Sequence, residues 1–262
     1  MDVAGDHGRI QRPSAPDARQ LLRQFASEFP PHIRDDELSN LDRAFFHLTL
    51  IGSQVGYSAS ICDLGAGFGV LPLICAILGM DVTVIDSFLT EPNVPKLLEP
   101  YRNHGVRVLA VDSTASNPVL AAGSLDAVVS FDAIEHFHSS PKRFLHLLLQ
   151  ALRPGGSVII SAPNCVDLDK RVRVTLGIAE WSSMGDWYER PQFTGHVREP
   201  SLADLRYIAS DLGLEHVRTF GKNHWPAKRY LGKLGRLLEI APSLCSTIYL
   251  IGHKPLSGPH TI

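Results

Sequence analysis

Three glycines at positions 65, 67 and 69 follow an aspartate, Asp63, which sits within the apolar run Ile61-Cys-Asp-Leu64. The run reads as a buried strand that turns sharply through the glycines into a helix. Glycine is needed there because the turn requires backbone angles closed to residues with side chains, and because a ligand must lie against bare backbone. The helix that follows offers unpaired N–H groups in its first turn, a seat for part of a nucleotide-like ligand. A second acid, Asp86, ends the β-branched run Val82-Thr-Val-Ile85, 17 residues beyond Gly69. At that distance the doubly wound fold places a carboxylate that accepts hydrogen bonds from both hydroxyls of a ribose. Alone, Asp86 would be an ordinary solvated acid at a strand end; behind this glycine turn it is a candidate ribose anchor.

The elements that must position these residues follow the same strand-then-acid pattern. Val70–Leu78 is an apolar helical run with Gly79 as its left-handed stop. Val106–Val111 reads as a third strand ending at Asp112, where a turn-forming acid is the plain alternative to a binding one. Leu125–Phe131 is a fourth strand, followed by Asp132-Ala-Ile-Glu135-His136-Phe-His138. Ser140-Pro141 opens a helix through Leu152, Arg153-Pro-Gly-Gly156 breaks it, and Ser157–Asn164 is a fifth strand. Ligands of open α/β sheets bind beyond the carboxyl ends of the strands. Asp63, Asp86, Asp112 and the Asp132–His138 segment therefore gather at one sheet edge, and core packing does not explain polar residues at that end of successive strands. The glycine spacing departs from the G-x-G-x-x-G dinucleotide fingerprint, which disfavours a nicotinamide dehydrogenase.

The acid-x-Gly-x-Gly-x-Gly turn resembles motif I of the class I S-adenosylmethionine-dependent methyltransferases. The run from Leu125 through Glu135-His136 and Leu152-Arg-Pro-Gly-Gly156 to Pro163-Asn164 is similar to the branch of that family containing the ubiquinone-pathway O-methyltransferases and many small-molecule and glycan methyltransferases. The resemblance covers residues 58–165 and, more loosely, 194–253. It implies a Rossmann-like, doubly wound α/β sheet of seven strands, mostly parallel with the last antiparallel, and S-adenosyl-L-methionine as the donor. It further implies a donor site lined by Asp63, Gly65, Ala66, Gly67, Gly69, Asp86, Ser87, Asp112, Ser113, Phe131 and Asp132. Within that set Asp86 takes the ribose, and Asp112, with Ser113 or Thr114 assisting, meets the adenine amino group.

The donor's sulfonium already activates its methyl group. The protein must align the acceptor, exclude water and, for a hydroxyl acceptor, remove a proton. His136 is the first candidate base because imidazole is neutral and basic near physiological pH; Glu135 can orient it or face the donor. A structural His136 packed at the helix start is the competing reading. His138 and His196 are lesser candidates. Asp132, Glu135 and His136 offer oxygen and imidazole ligands, yet adjacent Glu and His point differently on regular structure, so no metal is expected. O-methylation is the leading reading, with N- or C-methylation, or a non-catalytic donor-binding subunit, as alternatives.

The chain has 262 residues, 44% of them apolar, and a formal net charge of −2. That balance predicts one doubly wound domain behind a helical preface and gives no case for nucleic-acid binding. No secretory pattern opens the sequence and no apolar run is long enough to span a bilayer. Cys62, Cys75, Cys165 and Cys245 lack metal spacing, and Cys62 falls within a predicted core strand, which suits a reduced cytoplasmic protein. Residues 1–16 are expected to be a disordered tail, 17–57 a helical cap and 58–262 the methyltransferase domain. The cap is read as helices Ala18–Phe29 and Asp36–Ser53, divided at Pro30-Pro31.

Two insertions stand out. Residues 167–200 carry Trp181, Met184, Trp187, Tyr188, Phe193 and His196, which predicts either a lid that shields the reacting atoms and contacts the acceptor or a small satellite core. Residues 221–246 hold Lys222, Lys228, Arg229, Lys233 and Arg236 against one acid, Glu239. This basic amphipathic stretch can pack as a solvated face, or 222–240 can meet an anionic membrane surface. The acceptor is accordingly expected to be a small molecule, a glycan or a lipid-linked compound.

Overall fold

The structure is a computed structural model and describes residues 15–88, 93–111, 120–178, 182–191, 193–224 and 238–256. Asp112, Ser113, Thr114, Trp181, nearly all of the expected tail and most of the basic 222–240 segment lie outside the described residues.

Among the described residues the strands are β1 (Ser60–Leu64), β2 (Asp81–Asp86), β3 (Arg107–Ala110), β4 (Leu125–Phe131), β5 (Leu152–Pro163), β6 (Glu215–Lys222) and β7 (Thr247–His253). They form one seven-stranded sheet in the order β3-β2-β1-β4-β5-β7-β6. Neighbours from β3 through β5 pair in parallel, and β7 runs antiparallel to both β5 and β6. The chain reverses its direction of travel across the sheet between β1 and β4, so the loops after those two strands face one crevice, where ligands of such sheets bind.

Ten α-helices among the described residues flank the sheet: α1 (Ala15–Ala26), α2 (Pro31–Ser39), α3 (Leu41–Val55), α4 (Val70–Ile77), α5 (Val94–Leu97), α6 (Glu99–Asn103), α7 (Lys142–Ala151), α8 (Leu168–Thr175), α9 (Met184–Tyr188) and α10 (Leu202–Asp211). The central strands are apolar on both faces because both are covered, while the edge strands β3 and β6 are more exposed. Ala127, Val129 and Ile159 join Leu22, Leu48, Ile51 and Leu73 of α1, α3 and α4. Val128, Val158 and Ile160 turn the other way, onto Leu145 and Leu148 of α7 and Leu205 of α10. This period-2 division makes α1 and α3 part of the main core rather than an appendage. Ser201 and Asp204 cap α10 reciprocally, the capping box the sequence suggests.

Two local expectations differ. The helix expected over Asp36–Ser53 is divided at Asn40, whose backbone N–H and side-chain amide both reach back to the Asp36 carbonyl and end α2. Asparagine competes with the helix for its own backbone in this way. The break expected at Arg153–Gly156 is instead carried inside β5, where the register against β4 shifts between Leu125 and Ala127 and Gly155 takes the left-handed φ of +74°.

Candidate donor and acceptor sites

The glycine turn leaves β1 with Gly65 at φ +75° and Gly67 at φ +57°, conformations open to glycine. A Cβ at Gly65 would lie 2.3 Å from that of Ala133, so the loops after β1 and β4 are in direct contact; a Cβ at Gly67 would meet nothing within 4 Å. The Asp86 carboxylate braces the turn, accepting from the Gly67 N–H at 2.9 Å through Oδ2 and from the Phe88 N–H at 2.8 Å through Oδ1. Asp63 is buried, and that burial, followed by the nearby Asp86 charge, pushes its carboxyl up to about 7. Ser87 is exposed beside this edge.

Two further side chains complete the turn and escaped sequence reasoning. The Tyr101 hydroxyl, fully buried, accepts from the Gly69 N–H at 2.8 Å and lies 3.1 and 3.0 Å from the Gly67 and Gly69 carbonyl oxygens. Glu37 of α2 accepts from the Val70 N–H at 3.1 Å, at the first turn of α4, where a carboxylate meets the positive end of the helix. Burial raises Glu37 to about 7.

After β4 the backbone of Asp132 adopts a φ of +49°. Its Oδ2 accepts from Arg43 Nη1 of α3 at 2.8 Å and its Oδ1 from the Ser161 hydroxyl of β5 at 3.1 Å. Asp132 thereby ties the helical cap to the sheet. Beside it the Phe131 ring stacks on His47 of α3, centroids 4.0 Å apart and planes at 7°. The Tyr249 hydroxyl of β7 sits 2.9 Å from His47 Nε2 and 2.7 Å from His224 Nε2. Burial holds His47 well below the usual imidazole range and His224 at about 4, so both are neutral. Arg43, His47, His224 and Tyr249 are far from the motifs in sequence, and no local spacing marks them.

The turn Ile134–His136 is a single 3₁₀ turn. Glu135 is fully buried, and neither of its carboxylate oxygens has a hydrogen-bond partner. Burial, reinforced by the Asp132 charge, raises it to about 8. Its carbonyl oxygen accepts from the N–H groups of Val197 and Arg198 at 2.7 and 3.1 Å. The Thr194 carbonyl lies 3.1 Å from His136 Nδ1 and the Phe193 carbonyl 3.1 Å from His138 Nε2. Because a carbonyl can only accept, His136 carries its proton on Nδ1 when neutral and keeps a lone pair on Nε2. Burial, together with His196, holds His136 below the usual imidazole value.

These bonds bring His196 edge-on to His136, ring centroids 4.8 Å apart. His196 Nδ1 lies 2.7 Å from Glu199, which also pairs with Lys170 of α8. The Glu199 bond raises His196. Burial opposes the Glu199 charge, but the bonds from His196 and Lys170 prevail and hold it below the usual carboxylate range. A cavity of about 250 Å³ lined by His196, Val197, Arg198 and Glu199 opens beside the pair. One ligand atom each from Glu135, His136 and His196 lies within 4.8 Å of the others, a set that can hold a metal ion. Asp132, the third donor the sequence offers, is not in this set, since its oxygens are taken by Arg43 and Ser161; His196 from the 193–198 segment stands in its place. Trp187 and Tyr188 stand 61% and 75% exposed on α9, packed on each other; this is not the state of a lid closed over the cluster.

The parallel sheet with its antiparallel β7, the glycine turn after β1 and the acid ending β2 define the class I S-adenosylmethionine-dependent methyltransferases. The chain belongs to the family described as "Methyltransferase domain", whose sequence profile matches residues 13–219. It is 32% identical over 132 residues to the ubiquinone biosynthesis O-methyltransferase of Xanthomonas oryzae pv. oryzae (strain PXO99A), covering 47% of this chain and 48% of that protein. It is 30% identical over 139 residues to that of Caulobacter vibrioides, covering 50% of each. The chain thus spans about half the length of the curated relatives it matches. Among solved structures, a methyltransferase from Archaeoglobus fulgidus superposes with a TM-score of 0.55 at 17% identity, over 80% of this chain and 92% of that one. Phosphoethanolamine N-methyltransferase 2 of Haemonchus contortus superposes with 0.52 at 16% identity, over 94% and 59%. At such identities these two speak for the fold.

Proposed function

We propose that this protein transfers the methyl group of S-adenosyl-L-methionine to a hydroxyl of a small-molecule, glycan or lipid-linked acceptor, and that the proton leaves at His136. The acceptor oxygen attacks the methyl carbon in line, the carbon–sulfur bond breaks, and S-adenosylhomocysteine departs with the electron pair on sulfur. The hydroxyl proton passes to His136 Nε2. Asp63, Gly65, Ala66, Gly67, Gly69, Asp86, Ser87, Phe131 and Asp132, with Asp112 and Ser113, are the proposed donor contacts. His136 is oriented by the Thr194 carbonyl rather than by Glu135, whose carboxylate has no partner, and His138, His196 and the 181–188 aromatics are the proposed acceptor side.

The observation that carries the reading is the position of His136 at the end of the fourth strand, with Nδ1 held by a carbonyl so that the basic lone pair of the neutral ring falls on Nε2. The Thr194 carbonyl fixes its tautomer, and the ring follows the strand end that faces the glycine turn. A general base must be neutral at working pH, and the lowered His136 meets that condition. No helix among the described residues is long and apolar enough to cross a membrane. Within those residues none of the four cysteines forms a disulfide, in keeping with a reducing compartment such as the cytoplasm.

The test has two stages. S-adenosylhomocysteine, unlike NAD, should raise the melting temperature of the protein. Single-turnover methyl transfer to a panel of hydroxyl, amine and carbon acceptors should then favour hydroxyls. Preference for amines, with His136→Ala unimpaired, would shift the reading to N-methylation.

A further inference from the structure

We infer that Glu37, which the cap helix α2 lays against the glycine turn, reads the amino-acid end of the donor by pairing its carboxylate with the donor's α-ammonium group. The inference rests on the reading of this turn as the donor site and adds to it a residue from outside the sheet. Gly69, the third glycine, has φ −117° and ψ 165°, angles that any residue adopts, so backbone freedom does not account for it. Room does: a Cβ there would lie 3.2 Å from Glu37 Oε1 and 3.6 Å from the Ala66 carbonyl oxygen. Bare backbone at 69 is what lets a carboxylate from α2 come down onto the turn. Its Oε2 takes the Val70 N–H, which leaves Oε1, the oxygen beside Gly69, to meet a ligand.

The kind of group it meets follows from the hydrogen bonds the turn already makes. The N–H of Gly65 goes to the Ile85 carbonyl, that of Gly67 to Asp86, that of Gly69 to the Tyr101 hydroxyl and that of Val70 to Glu37 itself. Pro72, in the first turn of α4, has no N–H to give. With these amides taken, the start of α4 presents a carboxylate oxygen where such a helix start ordinarily seats an anion. A carboxylate only accepts, and the strongest donor on S-adenosyl-L-methionine is its α-ammonium group, with several N–H bonds on one positive charge.

The charged groups that face Glu37 are Asp36 of its own helix, Arg43 of α3 and, around the Tyr101 hydroxyl, Asp63 and Asp86 at the strand ends. Burial holds the Glu37 carboxyl up at about 7. An ammonium ion on Oε1 favours the charged form, so donor binding below that pH expels the carboxyl proton to the buffer.

The test is calorimetry with S-adenosylhomocysteine and with its deaminated analogue, in which hydrogen replaces the α-ammonium group and the carboxylate is kept. Wild type should prefer S-adenosylhomocysteine by at least about tenfold, the effect of one charged hydrogen bond. Glu37→Gln should erase that preference by weakening S-adenosylhomocysteine alone. Titrations below pH 7 in two buffers of different ionisation enthalpy should show wild type releasing protons as S-adenosylhomocysteine binds, and fewer with the analogue or in Glu37→Gln. Equal wild-type affinity for the two ligands would overturn the inference. So would a Glu37→Gln protein that weakens both alike or neither; Glu37 would then be a brace of α4 within an intact donor site. Wild type that binds neither ligand would overturn the donor reading itself, and the inference with it.

Discussion

The carboxylate of Asp86 and the backbone amide of Gly67 are hydrogen-bonded at 2.9 Å. The end of β2 and the middle of the glycine turn are thereby one unit, and a ligand that takes the Asp86 oxygens must share them with the loop beneath it. Asp86→Ala removes both the brace and the proposed ribose anchor. Each charged hydrogen bond lost costs about 1.5–3 kcal/mol, so donor affinity should fall tenfold or more while the fold persists. Calorimetry with S-adenosylhomocysteine measures this directly; near-normal affinity would take Asp86 out of the site.

Substitutions at the two glycines should separate folding from binding. Gly65→Ala drives a Cβ to 2.3 Å from Ala133 and strains a φ of +75°, so it should lower the melting temperature as well as donor affinity. Gly67→Val meets open space and strains only its own backbone, by about 1–3 kcal/mol. It should fold yet bind donor poorly, because its side chain would stand where the donor is proposed to lie. Equal donor affinity in folded Gly67→Val and wild type would contradict the glycine cradle.

Asp63 and Glu37 both have folded pKa values raised to about 7. Between about pH 4 and 7 the folded state therefore holds more protons than the unfolded one. Their contribution to stability is present below the unfolded carboxyl pKa and is lost as pH rises through 7. Thermal unfolding of the ligand-free protein should show this decline, and Asp63→Asn combined with Glu37→Gln should flatten it. A wild-type profile that rises across pH 5–8, unaltered in the double variant, would contradict the burial of these two acids.

His136→Ala should lower turnover on a hydroxyl acceptor by about 10²–10⁴ with donor affinity nearly unchanged. The wild-type rate should rise with pH through a pKa below the ordinary imidazole value, since burial and His196 hold His136 down. The variant should lose that rise. Equal single-turnover rates for the two proteins would leave His136 with no part in the reaction.

Tyr249→Phe should destabilise the protein by about 1–3 kcal/mol, since it leaves His47 and His224 without their shared hydroxyl in a buried setting. Denaturant unfolding at neutral pH reads the change. A variant as stable as wild type would mean that the phenol contributes packing alone.

The donor half of the site was legible in the chain because its signals are local. β-Branched runs stopping at Asp86 or Phe131, and glycines at alternate positions, report backbone geometry within a few residues. Most strand ends fell within a residue or two of expectation for the same reason. Arg43 and Asp132 are 89 positions apart, and Tyr101 meets Gly69 across 32; such pairings are written only in the tertiary packing of the helices against the sheet. The aromatic content of 167–200 suggested a lid, but composition cannot say which way a ring points, and Trp187 and Tyr188 face solvent. Asn40 looked like an ordinary helix residue because its effect depends on its amide turning back to Asp36.

The two N–H bonds from Val197 and Arg198 to the Glu135 carbonyl bear on any attempt to re-engineer this protein. They make 132–138 and 193–199 a single mechanical part, held together through a main-chain oxygen that side-chain replacement cannot remove. A chimera that imports one segment from a relative would mate a turn with a foreign docking strip and misplace the histidines of both. Exchange of acceptor preference between family members should therefore succeed when the two segments travel together, leaving the glycine turn and its donor untouched.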